Sequence, residues 1–153
     1  MMKKEDWKDD LASYFEEYRI LEESKVETLE NFEHFAEFVA EPAFESVQEE
    51  LKTYKVKSRI KKLKAKWISF QIYFPKSNVE NFEYIIILPK NAVELSLVLV
   101  IKGRKMKKGM VQSEEKPFMA GLKGEKVLKL KKEDLIADVV EHYRNFNFSA
   151  FSR

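Results

Sequence analysis

The sequence predicts a single α+β domain with three N-terminal helices, an antiparallel meander sheet of four to five strands, and a C-terminal helix packed on the sheet. Three observations lead to this fold class. Apolar residues recur at helical steps in the first third of the chain, three strongly β-forming runs lie between Trp67 and Ile101, and the helical period returns after residue 132. A length of 153 residues suits one domain.

Within that domain we predict an acidic helical part, 1–54, and a basic β-sheet part, 55–131, that includes a flexible loop, 103–125. A C-terminal helix and an aromatic tail occupy 132–153.

The first predicted helix spans about residues 5–22. Its apolar positions follow steps of three and four, so they share one side of a helix: Trp7, Leu11, Tyr14, Phe15, Tyr18 and Leu21. Ser24 and Glu27 have the spacing of a capping box, which predicts that a second helix begins there. Pro42 suits a first helical turn and predicts a break near Glu41, after which a third helix begins.

The alternation of lysines with other residues over 55–60 predicts a first strand with one wet face, although the same basic run could extend the helix to about Leu63. Further strands are predicted at Trp67–Phe74, Phe82–Leu88 and Glu94–Lys102. Their connections are too short for parallel crossovers, so the pairing is antiparallel.

The segment 103–125 has no clear period and contains all four glycines, which predicts a flexible loop or a weak hairpin. Val127, Leu128 and Leu130 suggest a short strand, and a last helix begins near Lys132.

Two of the apolar runs, 85–88 and 97–101, do not alternate with polar residues. Unbroken apolar strands indicate that both faces of the sheet have some cover. Either helices flank the sheet on both sides, or one face is an interface with another molecule.

The absence of cysteine excludes disulfides, thiolate metal sites and a cysteine nucleophile, and it agrees with a reducing compartment. The longest apolar segment is far too short for a membrane span. We therefore expect a soluble, cytoplasmic protein.

No motif indicates an enzyme, a cofactor or a metal. His34 lies at helical spacing from Glu30 and Glu37, and His142 lies four residues after Asp138, but neither pattern is a known metal signature. We interpret these residues as solvated or paired within their helices.

The charge is unevenly distributed along the chain. Residues 1–50 carry 16 acidic and 5 basic residues, whereas residues 51–153 carry 10 acidic and 23 basic residues. The two parts could attract each other within one fold, or the basic part could meet an acidic partner. Nucleic-acid binding would use the basic run and the loop: Lys55, Lys57, Arg59, Lys61, Lys62, Arg104, Lys105, Lys107 and Lys108.

The function that these observations favour is a non-catalytic protein-interaction or regulatory module, as a homo-oligomer or a subunit of a larger complex. Phe146, Phe148 and Phe151 in the tail are its candidate interface residues. Nucleic-acid binding is the first alternative. The second is an apolar-ligand domain built on a curved sheet around Trp67, Phe70, Phe82 and Tyr84.

Overall fold

The computed structural model describes residues 6–151, with side chains through residue 148. Two helices, α1 (Asp6–Phe35) and α2 (Glu41–Thr53), precede the sheet, and two helices, α3 (Glu125–Leu128) and α4 (Lys132–Phe151), follow it. The five strands are β1 (Ser58–Leu63), β2 (Trp67–Tyr73), β3 (Glu80–Ile87), β4 (Val98–Gly103) and β5 (Gln112–Pro117).

The strands pair in sequence order, β1 to β5, and every pair is antiparallel. This is the predicted meander. Helices lie before and after the sheet and α4 packs on it, since Tyr143 contacts Phe82 at 5.4 Å between ring centroids. The α+β class is confirmed.

The predicted helix break at Ser24 is wrong, because α1 runs through this position. The Ser24 carbonyl accepts a 2.7 Å hydrogen bond from the Thr28 hydroxyl, four residues on, as it can inside a helix. Arg19 pairs with Glu16 and Glu23 and adds further support on the exposed side.

The predicted break near Glu41 is also wrong, because a π-helical turn, Ala36–Ala40, joins α1 directly to α2. Pro42 lacks an N–H, and its ring would clash with the carbonyl four residues earlier in an ideal α-helix. The wider turn just before the proline takes up one extra residue, so the chain continues as a helix.

Of the two alternatives predicted for the segment 103–125, a flexible loop or a weak hairpin, the structure has the hairpin. Residues 112–117 form β5, an edge strand that pairs with β4 over its whole length, and a single 3-10 turn, Phe118–Gly121, follows. The strand predicted near Val127 is instead one helical turn, α3, in which Val127 is buried. The first strand begins at Ser58 rather than residue 55, since Lys55 occupies a turn with φ of 60°.

Alternate residues of each strand point towards α2 and α4. Phe44 of α2 stacks on Phe70 of β2 at 5.2 Å and also contacts Tyr84 of β3 at 6.0 Å. This layer is the core, and the remaining side chains of the strands point to the opposite side of the sheet.

Candidate interaction surfaces

The first 22 residues of α1 extend beyond the core. Every residue from Trp7 to Leu21 is exposed, and the first buried residue of the helix is Thr28. At 1.5 Å per residue, the run from Trp7 to Leu21 is roughly 22 Å long.

Five apolar residues form a stripe along this exposed part, at the alternating steps of four and three that mark a coiled-coil seam: Trp7, Leu11, Tyr14, Tyr18 and Leu21. Their exposed fractions lie between 47% and 56%. Phe15 flanks the stripe, and its ring meets that of Tyr14 edge-on at 5.1 Å. An apolar stripe of this length without cover is a candidate interaction surface.

The same spacing continues into the core of the domain. Beyond Lys25 the next positions of the series are Thr28, Phe32 and Phe35, and all three are buried. The C-terminal continuation of the stripe is therefore covered by the domain itself. The N-terminal part, Trp7 to Leu21, has the same spacing but is exposed.

The flanks of the stripe are acidic. Between Asp6 and Phe35 there are ten Asp and Glu residues and three Lys and Arg residues. A surface that covers the stripe gains stability if its own rim is basic.

The sheet has a second partly exposed apolar surface on the side away from α2 and α4. We name it the open face. Its centre consists of apolar residues on β2, β3 and β4, and all of them are partly exposed: Trp67, Ile85, Ile87, Val98 and Val100. The strand registers align Trp67 with Ile87 and Val98, and Ile85 with Val100, so the side chains form one patch.

Basic residues border the open face along β1. Arg59 and Lys61 lie on this side of the strand, opposite Gln71 and Ser69 in the register. The two helices α2 and α4 do not cover both faces of the sheet. Both lie on the side of Phe70 and Tyr84.

A basic depression of about 820 Å³ lies where α2 ends and the β2–β3 turn begins. Its cationic residues are Lys52, Lys55, Lys57, Arg59 and Lys76, beside Tyr73, and no carboxylate lines it. Backbone hydrogen bonds hold the two turns together, from the Lys76 amide to the Lys55 carbonyl at 3.1 Å and from the Tyr73 amide to the Lys57 carbonyl at 2.9 Å.

The β4–β5 hairpin turn lies at the same end of the sheet, because antiparallel strands return there. It contains Arg104, Lys105, Lys107 and Lys108, and the Arg104 amide donates to the Asn81 carbonyl at 2.9 Å. We call this set of turns the basic end of the sheet. Across five strands it spans roughly 19 Å.

Two of the predicted nucleic-acid residues lie elsewhere. Lys61 is on the open face, and Lys62 points to the helix side, where it pairs with Glu41 at 3.1 Å. That pair joins the basic part of the chain to its acidic part, and the carboxylates of Glu33 and Glu37 also raise the pKa of Lys62 after the leading effect of Glu41.

The predicted aromatic tail is the end of α4. Phe146 is partly buried against Phe82 at 5.9 Å, and Lys105 lies 5.8 Å above its ring. Phe148 is 71% exposed. The side chain of Phe151 lies outside the described part of the chain.

The aromatic residues proposed for an apolar ligand site do not surround a cavity together. Phe70, Phe82 and Tyr84 are buried in the core, and Trp67 lies on the open face. An apolar cavity of about 540 Å³ exists instead between α2 and α4, lined by Val47, Leu51, Val139 and Tyr143 among others.

The helical spacing of His34, Glu30 and Glu37 does not produce a metal site. Among residues 6–148, no three histidine or carboxylate side chains are grouped so that they could hold a metal ion. No helix in the described part of the chain combines the length and apolar character needed to cross a lipid bilayer.

The chain was compared with protein-family models, with curated proteins and with solved structures. None of them matches.

Sequence periodicity identifies the stripe on α1, but it cannot show that the stripe is exposed, because an amphipathic helix is normally covered by its own domain. The open face was signalled by the unbroken apolar runs in β3 and β4. The contribution of Lys52 and Lys76 to the basic end could not be seen, since it depends on how two distant turns meet.

Proposed function

We propose that this protein is a non-catalytic protein-interaction module that self-assembles, with α1 of one copy docked on the open face of a second copy. The observation that carries this proposal is the exposed aromatic stripe of α1, which continues the spacing of a buried one. A cytoplasmic location, which the cysteine-free composition favours, belongs to the same proposal.

Pairing of α1 with α1 of a second copy is disfavoured by charge. Asp10 and Glu17 flank the stripe on one side, and Glu22 flanks it on the other. In a parallel coiled coil the residues at these positions face each other, so Glu17 would meet Glu22 of the second helix. In an antiparallel pair, Asp10 and Glu17 of one helix would face Asp10 and Glu17 of the other, so like charges would meet.

The open face offers a second α1 an apolar surface with a basic border. Its apolar centre can cover the stripe, and Arg59 and Lys61 on its β1 border are opposite in charge to the flanks of α1. The exposed run of α1, roughly 22 Å long, matches the roughly 19 Å width of the sheet, so one helix can lie across the strands.

The helix cannot reach the open face of its own chain. Phe35 at its C-terminal end is buried and contacts Phe118 at 5.7 Å, and α1 then continues through the π-helical turn into α2. Because α2 packs on the other side of the sheet, docking on the open face requires a second molecule.

Sedimentation velocity on a concentration series tests the proposal with two variants. Replacing Tyr14 and Tyr18 by serine is expected to weaken association about tenfold or more, since aromatic residues carry much of the energy of an interface. Ile20→Ser is the matched control, because Ile20 is 49% exposed and lies on the opposite side of α1. Equal association of both variants and the wild type would contradict the proposal.

A second candidate function is nucleic-acid binding at the basic end of the sheet. The specific observation that favours it is the depression lined by four lysines and Arg59, with a tyrosine ring beside them; of these cations, Lys52 pairs with Glu49 at 3.1 Å. Such a surface attracts phosphates, and the ring offers a stacking surface for a base.

This second candidate predicts salt-dependent binding of single-stranded RNA or DNA, measured by fluorescence anisotropy. Replacing Lys55, Lys57 and Lys76 by glutamine is expected to reduce affinity and the salt slope. The same change at Lys64, Lys66 and Lys90, at the opposite end of the sheet, removes equal charge and serves as the control. Equal losses in both triple variants would show nonspecific attraction and exclude a site at the basic end.

A further inference from the structure

A polar cavity of about 550 Å³ lies between α4 and the edge strand β5. It forms because α4 packs over β3, as the Tyr143 and Phe82 contact shows, and leaves the helix-facing side chains of β5 without cover. Its walls include Gln112 and Lys116 from the strand and His142 and Asn145 from the helix. Nothing in this cavity takes part in the proposed docking of α1.

The imidazole of His142 is held in one orientation. Its Nδ1 lies 2.7 Å from the backbone carbonyl oxygen of Asp138 and 3.3 Å from Oδ2 of the same residue. Both neighbours only accept hydrogen bonds at neutral pH, so Nδ1 must carry the proton and donate it. The other ring nitrogen, Nε2, has no hydrogen-bond partner among the described residues.

The carboxylate of Asp138 is already engaged from two sides. Besides His142, it accepts a 2.5 Å hydrogen bond from the hydroxyl of Tyr84, which is buried in the core. A histidine whose Nδ1 is fixed by a carboxylate, itself fixed by a tyrosine, presents Nε2 as a positioned functional group.

The cationic groups that line the cavity are Lys105, Lys116 and, when protonated, His142. Lys116 acts electrostatically on both His142 and Asp138, and the hydrogen bond to Asp138 raises the pKa of His142. Three carboxylates, those of Asp138, Glu114 and Glu141, also line the cavity. Glu114 is 68% exposed, its distance to Lys116 is 4.0 Å, and Glu141 is also exposed.

We propose that this cavity binds a small molecule through a carboxylate or phosphate group, held between Nε2 of His142 and Nζ of Lys116. Charge-assisted hydrogen bonds from an imidazolium and an ammonium are the interactions that such oxyanions prefer. The amides of Gln112 and Asn145 provide further donors, and Ile101 and Phe146 form an apolar wall for the rest of the molecule.

The test is a titration with inorganic phosphate at constant pH and ionic strength, followed by the NMR signals of the imidazole rings. His34 is the internal control, because it lies exposed on α1. We expect a saturable shift of His142 and none of His34. A linear response, or the same response from both histidines, would overturn the proposal.

Three variants complete the test. Lys116→Gln is expected to bind phosphate about tenfold more weakly, whereas Lys116→Arg keeps the charge and retains binding. Lys90→Gln removes a lysine from the far end of the sheet and should bind as the wild type does. If the two glutamine variants bind equally well, the site is not the one described. The serine variant at Tyr14 and Tyr18 should bind phosphate normally, so this proposal and the docking of α1 can fail separately.

Discussion

The hydroxyl of Tyr84 donates a hydrogen bond of 2.5 Å to Oδ2 of Asp138, and this bond ties the central strand of the sheet to α4. Burial, followed by the charge of Asp138, raises the pKa of Tyr84 well above its ordinary value, so the phenol stays protonated and remains a donor. On its own, burial would raise the pKa of Asp138, but the hydrogen bonds from His142 and Tyr84 lower it. The carboxylate of Asp138 is therefore ionised and accepts hydrogen bonds from both Tyr84 and His142.

Removal of the Tyr84 hydroxyl should destabilise the protein. We expect Tyr84→Phe to lower the free energy of unfolding by about 1.5–3 kcal/mol, the usual range for a hydrogen bond to a charged group. Urea denaturation measures the change. Tyr54→Phe is the control, because Tyr54 is 65% exposed and its change should be close to zero. Equal stabilities of the two variants would contradict a structural role for the bond.

The pair of His142 and Asp138 makes stability depend on pH. Because the hydrogen bond to Asp138 raises the pKa of His142 above 6.5 in the folded state, the folded protein binds the proton more tightly than the unfolded chain. The resulting stabilisation is fully present below the unfolded value and is lost as the pH rises through the folded one. Lys116 also acts on the imidazole and opposes its protonation. The hydroxyl of Tyr84 stays neutral between pH 6 and 8, because its pKa is raised well above the ordinary value of 10.

The His142→Gln variant should remove this dependence. We expect the urea midpoint of the wild type to fall with rising pH above 6.5, while that of the variant changes less over the same interval. Replacing His34 by glutamine is the matched control, because His34 is exposed on α1. A wild-type slope that survives the loss of His142 would assign the titration to another group.

Gly103 is the position where a side chain is least tolerated. A Cβ atom there would lie 2.3 Å from the backbone oxygen of Asn81 and 2.8 Å from the ring of Phe146. The backbone atom cannot move without disturbing β3, so we expect Gly103→Ala to cost about 1–3 kcal/mol of stability. Thermal denaturation checks it. Gly109→Ala is the comparison, since its nearest contact is 3.1 Å in an exposed turn and its cost should be smaller.

The sequence predicted the central strands well, because Trp67, Phe70 and Ile86 belong to runs that fit only a buried sheet. For 103–125 it left a flexible loop and a weak hairpin open, because residues 112–117 are mostly charged or polar and carry no apolar alternation. The strand β5 forms because it pairs with β4 through backbone hydrogen bonds. The start signal at Ser24 was misleading, since a serine can cap a helix or lie inside one. The sequence around Ser24 does not distinguish a helix start from a helix interior.

The same limit applies to the sites. The alternation of residues 55, 57 and 59 groups them in the sequence, but it cannot show that Lys76 joins them across a turn or that Glu41 engages Lys62. The spacing of Asp138 and His142 was visible as an intrahelical pair. Its significance depends on Tyr84, which is 54 residues away in the chain and was assigned to the sheet.

Charge should govern the association of α1 with the open face. Since the flanks of α1 are acidic and Arg59 and Lys61 are basic, we expect Arg59→Glu combined with Lys61→Glu to weaken self-association, and added salt to weaken it in the wild type. Lys129→Glu combined with Lys132→Glu makes the same charge change away from the sheet and is the control. Sedimentation equilibrium measures both. Identical behaviour of the two pairs would mean that only net charge matters.

The most direct test of the central claim is to mix two variants that are each defective in a different half of the contact. One carries Tyr14→Ser and Tyr18→Ser in α1, and the other carries Val100→Glu on the open face; circular dichroism and urea unfolding establish that both are folded. Sedimentation velocity should then find each variant monomeric alone and a mixed assembly in the mixture, because the intact α1 of the second variant meets the intact open face of the first. If both variants remain monomeric when mixed, α1 does not dock on the open face.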